Sequence, residues 1–239
     1  MPKRGPIFQR SNLCDRLVAL RYPTAADGID HFNTSLPELV RFLGSEVGMA
    51  DTRFVAEEGS LGSFAFDDPL LLMITGNRAV MRVSDSQKRM LGDYLKKGGM
   101  LFAEDVRAPI RGASSDVGRS GTPFDRMLKS LLADPLVLGN AGKMWRPVPR
   151  DHQLYQAFFA FPDGSPMSGT VGGRFADARI TDLEMLEYRG RVAVVFSDLN
   201  ISFAWSKSDA IGRQRALQFG SNLVIFTLVQ YATVGSARR

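Results

Sequence analysis

The chain has 239 residues, 44% of them hydrophobic, with 30 basic against 25 acidic side chains and a formal net charge of +5. That composition supplies a core for one large or two small domains and excludes a disordered chain. The single cysteine, Cys14, excludes an internal disulfide framework and a thiolate metal site, and the basic residues lack the stripe or aromatic-basic motif of a nucleic-acid binder, so no nucleic-acid partner is expected.

Residues 1–15 are polar, carry Pro2 and Pro6, and read as an N-terminal arm. Met1 to Arg4 is basic but precedes no apolar region, so the sequence shows no signal peptide, and no apolar run approaches the roughly 20 residues of a membrane span. A cytoplasmic protein is the default expectation; a chain trimmed of its signal or anchor, hence periplasmic or membrane-associated, would read the same.

A first strand is predicted over 17–22, stopped by Pro23, and a helix over 38–47, with Ser35 as N-cap and Pro37 early in its first turn. A short strand at 53–56 leads to the clearest unit of the chain. There an apolar strand at 70–75, a Gly76-Asn77 turn, an amphipathic helix at 84–97 and a strand at 100–103 ending on Glu104-Asp105 follow one another. Ser84 and Gln87 have capping-box spacing, Met90, Leu91, Tyr94 and Leu95 share one face, and Gly98 suits the left-handed residue that ends a helix.

Residues 107–121 form a long Gly/Ser/Arg-rich loop, 124–132 a short helix opened by Thr122 or Pro123, and 136–138 a candidate strand. The proline-rich stretch from Trp145 to Tyr155 suits neither a helix nor a central strand. Two strands at 183–188 and 192–197 flank an Arg189-Gly190 hairpin turn, 198–209 reads as a loop, and 214–231 as a closing helix. Alternating strands and helices with fully apolar strands predict one domain over 16–239, an α/β open parallel sheet with helices on both faces.

Five pieces in order, Asp68-Pro-Leu-Leu-Leu-Met-Ile-Thr-Gly76, Tyr94-Leu-Lys-Lys-Gly-Gly-Met-Leu-Phe-Ala-Glu-Asp105, Pro149-Arg-Asp-His152, Gly190-Arg-Val-Ala-Val-Val-Phe-Ser197 and Phe219-Gly-Ser-Asn-Leu-Val224, resemble the bacterial family called domain of unknown function 4159. The resemblance spans roughly residues 16 to 232. It implies a flavodoxin-like sheet of the class I glutamine amidotransferase-like superfamily, and relatives that are often periplasmic or attached to membrane-anchored or von Willebrand A-type partners. Amidotransferases need a cysteine nucleophile at a strand-to-helix elbow, whereas the corresponding strand here ends in Glu104-Asp105 and Cys14 precedes the first strand. Gln153 replaces a proline usual after the family's Asp-His, and the loop 107–121 diverges.

In open α/β sheets ligands bind beyond the carboxyl ends of the strands. Those ends carry Thr75, Gly76, Asn77 and Arg78, then Glu104, Asp105 and Arg107, then Asp198 and Asn200. Glu104, Asp105 and Asp198 read either as an acid/base pair or a hard-metal site for a divalent cation, or as structural partners of turns and of Arg78 and Arg107. Asp151-His152 reads either as a general base with its orienting acid or as a local turn. With His31 the only other histidine, a three-His zinc site is impossible. Trp145, Phe158, Phe159, Phe161 and Trp205 would supply either a stacking surface for a ligand or core.

Two functions are expected on these grounds. One is an accessory domain that binds a small molecule or a protein partner, needs no cofactor, and belongs to a membrane-associated complex if its relatives are a guide. The other is a hydrolase or lyase using the strand-end carboxylates Glu104, Asp105 and Asp198, with His152 assisting and with or without a divalent metal.

Overall fold

The computed structural model of the chain describes residues 15–20, 32–49, 54–59, 69–76, 81–106, 122–166, 183–205 and 212–236. Residues 1–14 of the predicted arm, with Cys14, and also His31, Asn77, Arg78 and the predicted loop 107–121 with Arg107 lie outside these residues, while Asp15, the last residue of the predicted arm, opens the first strand. Seven strands, β1 (Asp15–Leu20), β2 (Phe54–Gly59), β3 (Leu71–Gly76), β4 (Met100–Asp105), β5 (Trp145–Pro147), β6 (Glu184–Tyr188) and β7 (Arg191–Ser197), form one sheet in the order β2-β1-β3-β4-β7-β6-β5. The pairs β1–β2, β1–β3, β3–β4 and β4–β7 are parallel. The last two pairs are antiparallel, so the sheet is mixed at one edge rather than parallel throughout.

The two faces of β4 show how the sheet is covered. Met100 and Phe102 point to a cluster built with α1 (Phe32–Glu46), α4 (Ile201–Trp205) and α5 (Arg213–Ser236), while Leu101 and Ala103 point to one built with α2 (Asp85–Lys97) and α3 (Pro123–Leu132). Period-two alternation on a strand buried on both faces produces this division. The molecule is therefore an α/β sandwich with helices on both faces. Among the described residues no helix is long and apolar enough to cross a membrane.

The β3-α2-β4 unit forms as its local signals dictate. The Ser84 side chain accepts from the Gln87 N–H while the Gln87 side chain accepts from the Ser84 N–H, closing the capping box, and Gly98 takes a φ of 127°. Tyr94 then pins the return into β4: its hydroxyl donates to the Met100 carbonyl at 2.9 Å and accepts from the Met100 N–H at 3.1 Å. Its ring lies so close to Gly99 that a Cβ there would sit 2.2 Å from it.

Four predicted elements change. Helix α1 starts three residues before Ser35, which is buried inside it, and Pro37 sits within the helix and forfeits one backbone bond. Residues 136–138 are a turn, because Asp134 captures the chain there: its side chain accepts from the Leu136 N–H at 2.9 Å and its carbonyl from the Val137 N–H at 2.9 Å. The proline-rich stretch contributes β5 after all, on the sheet edge where Pro147 has no second neighbour to bond. Finally, the predicted loop 198–209 contains the short helix α4.

Gly92 lies inside α2, where glycine costs about 1 kcal/mol relative to alanine. Its place is explained by the turn after α3: a Cβ would lie 2.5 Å from the Leu136 carbonyl oxygen and 2.9 Å from Val137 Cα, both backbone atoms. Gly44 of α1 meets nothing within 4 Å. Urea denaturation should therefore find Gly92→Ala destabilised by about 1–3 kcal/mol and Gly44→Ala stabilised by about 0.5–1 kcal/mol.

Candidate functional site

The carboxyl ends of three neighbouring parallel strands lie side by side. Thr75 of β3 is the partner of Glu104, Gly76 of Asp105, and Glu104 of Ser197 at the end of β7. Asp198 and Asn200 follow directly, so the structure brings together Thr75, Gly76, Glu104, Asp105, Asp198 and Asn200. All six are buried, and neither Thr75, Asp105, Asp198 nor Asn200 is without a partner.

Alternation along β4 sends Glu104 to the α5 face and Asp105 to the α3 face, so the two are not an acid/base pair. Glu104 is fully buried. One of its oxygens accepts from the Ser197 hydroxyl at 2.7 Å and the Ile201 N–H at 2.6 Å, and the other from the Ser202 N–H at 2.7 Å and the Ser202 hydroxyl. Ser197 is held in turn by the Leu199 N–H at 3.1 Å. Asn200, at a φ of 56° that asparagine tolerates, turns the chain into α4, whose first N–H groups face the carboxyl group. Burial pushes the Glu104 carboxyl above its usual pKa range, and the hydrogen bonds from Ser202, Ser197 and the two backbone N–H groups oppose that shift.

A carboxylate has about four acceptor positions, and here all four are occupied by the protein's own donors. Glu104 is an N-terminal cap for α4 supplied from another strand. Among the described residues no three His, Cys, Asp or Glu side chains gather as a metal site requires.

Two expected members of the strand-end site belong elsewhere. Trp205 is fully buried, lies stacked with Phe102 at 6.3 Å between ring centroids, and donates its indole N–H to the Ala216 carbonyl at 2.9 Å. It is core, because a large ring at the end of α4 falls between the sheet and α5. The other aromatics do not make one surface either: Phe161 is buried, Phe158 exposed, and Trp145 packs edge-on to Phe196.

His152 lies far from Glu104. It lines a cleft of about 610 Å³ with Arg189, Gly190, Arg191 and Val192 at the start of β7, together with Phe226, Val229, Gln230 and Thr233 of α5. Ser197, beside Glu104, is five residues along that strand, or about 16 Å away. The constellation of Glu104, Asp105 and His152 is thus not formed. Nor is Asp151 the orienting acid of His152. The His152 Nδ1 accepts from the Leu154 N–H at 3.2 Å, which places the ring proton on Nε2, and its ring packs on Phe226 at 5.4 Å. Burial holds its pKa below the usual imidazole value.

The segment after His152 is fixed by Asn222 of α5. Its amide donates to the carbonyls of Leu154 and Phe159 at 3.0 and 2.8 Å and accepts from the N–H groups of Phe158 and Phe159 at 3.2 and 2.8 Å. The residues that sequence reasoning missed are those of the cleft: Glu187, Arg189, Arg191 and Gln230. The one signal for them was the Arg189-Gly190 turn, since a hairpin tip places its residues at a sheet end.

If Glu104 is a cap, truncating its bonds should act on stability. Glu104→Gln turns an amide N–H₂ toward donors, and urea denaturation should show a loss of about 2–4 kcal/mol; Ser202→Ala, which leaves three of the four bonds, should lose about 1–2 kcal/mol. An unchanged midpoint in Glu104→Gln would contradict the assignment.

None of the curated proteins compared with the chain matches it. The family described as "Domain of unknown function (DUF4159)" matches over residues 16–228, from the first strand into the closing helix, and covers every strand of the sheet but the first residue of β1. The chain belongs to that family.

Proposed function

We propose that the chain is a binding domain of the class I glutamine amidotransferase-like superfamily that works without a nucleophile, as an accessory to a partner or as a holder of a small ligand. The order of its five mutually parallel strands, β2-β1-β3-β4-β7, supports the flavodoxin-like part of this reading. Counted along the chain it is 2-1-3-4-5, the order of flavodoxin-like sheets.

The observation that carries the functional part is the state of Glu104. In the superfamily's enzymes the corresponding strand leads to a cysteine. Here it ends in a carboxyl group whose oxygens are all engaged by Ser197, Ile201 and Ser202. A general base, a nucleophile or a metal ligand needs a lone pair that faces its substrate or ion. Glu104 has none to offer, and His152 is at the other end of β7. Binding then falls to surfaces away from β4, and the cleft beside His152 has the size that small ligands occupy.

The test is turnover by the purified chain with L-glutamine, p-nitrophenyl acetate and p-nitrophenyl phosphate, each with and without Mg²⁺. The expected result is no product above the buffer blank. Turnover that disappears in folded Glu104→Gln but survives in Ser202→Ala would overturn the reading.

A further inference from the structure

The groups lining the cleft divide by what already engages them. Gln230 is tied to the backbone of Val192, accepting from its N–H and donating to its carbonyl, both at 2.8 Å. Glu187 is paired with Arg146 at 2.8 Å. Arg191 donates to the carbonyls of Leu95 and Gly99. His152 has its Nδ1 on the Leu154 N–H, which leaves Nε2–H as its remaining donor.

Two charged side chains in the lining have no hydrogen bond of this kind and no ion pair among the described residues. Asp151 and Arg189 are both exposed, and among the described residues neither forms an ion pair, with the other or with any third group. Arg189 rests its guanidinium over the Tyr188 ring, 5.3 Å from the centroid, which orients the cation without neutralising it. The cleft also has an apolar part: Val192 and Phe226 are buried in its wall, and Val229 is 55% exposed although it is a large apolar side chain on α5.

The lining thus offers one carboxylate and one guanidinium of opposite charge, neither in an ion pair with a described residue. A molecule carrying both charges satisfies both groups, and an apolar substituent would cover Phe226 and Val229. We propose that the cleft binds a zwitterion with a free ammonium, a free carboxylate and an apolar side group, a free amino acid or a short peptide. Arg189 receives the carboxylate, whose geometry a guanidinium matches with two parallel bonds. Asp151 receives the ammonium. The volume of about 610 Å³ accommodates either source. The inference deepens the non-catalytic binding reading and rests on it.

Calorimetric titration of the full chain with L-phenylalanine and with glycyl-L-phenylalanine tests it, beside N-acetyl-L-phenylalanine, which lacks the cation, and L-phenylalaninamide, which lacks the anion. At least one zwitterion should bind with a Kd in the millimolar range or tighter, and each capped compound about five- to tenfold more weakly. The amino acid and the dipeptide differ in the spacing of their charges, so the tighter of the two identifies the source. Arg189→Asn, whose new side chain suits the φ of 52° at that turn, should abolish the preference over the amide. Asp151→Asn should abolish the preference over the acetyl compound. Binding of neither zwitterion, equal binding of capped and free forms, or preferences unchanged in both variants would overturn the proposal. Those failures would leave the absence of a nucleophile untouched, because that reading stands on Glu104 and on the turnover assay.

Discussion

The Glu104 carboxyl group is the point at which the two halves of the chain become dependent on one another. Burying a carboxylate costs several kcal/mol unless its oxygens are matched by donors. The donors here come from Ser197, at the end of β7, and from Ile201 and Ser202, at the start of α4. They exist together only when β7 lies beside β4 and the chain turns at Asn200. The buried carboxyl group therefore penalises any other arrangement of these elements. From Glu104 the contacts continue through the helices. Helix α4 ends in Trp205, which packs on Phe102 and bonds to Ala216 of α5; α5 then holds the 154–159 segment through Asn222 and the start of β7 through Gln230.

The carboxyl ends of the central strands, the usual place for a ligand, carry buried polar residues, and among them Glu104 and Ser197 bond to one another and to the start of α4 or the turn before it. A concave surface lies near the opposite end of β7, where a hairpin tip, a loop carrying His152 and one face of α5 meet. There the residues 226, 229, 230 and 233 recur at helical spacing, so a single stripe of α5 forms the wall.

The parts of the fold that could be read from sequence are those whose signals are local. In β3-α2-β4 the cap pair Ser84 and Gln87, the stop at Gly98 and the apolar runs all lie within a few residues of what they specify, and the structure agrees with them. The hairpin at Arg189-Gly190 is legible for the same reason, with φ values of 52° and 76° at its two turn residues. Helix α4 was not legible because its cap lies 97 residues away in sequence, on another strand. The polar strand ends at Thr75 and Glu104 were legible as ends, but the adjacency of Thr75, Glu104 and Ser197 depends on a strand order that no local signal states. That Glu104 would be saturated was not legible either, since its donors are partly backbone groups that carry no residue signature. His152 illustrates a further limit: a loop residue's type suggests chemistry, but its landing place depends on Asn222 and Phe226, far along the chain.

The central claim is that the Glu104 carboxyl group belongs to the fold and is closed to ligands. Amide hydrogen exchange at Ile201 and Ser202 reads this directly, because those two N–H groups donate to its oxygens. If the cap is permanent, both amides exchange only through openings close to global unfolding, with protection similar to that of the β4 amides, and added Mg²⁺ does not change them. Rapid exchange at both positions, or protection lost on adding the metal, would show a carboxylate that leaves α4 for another partner, and would contradict the account.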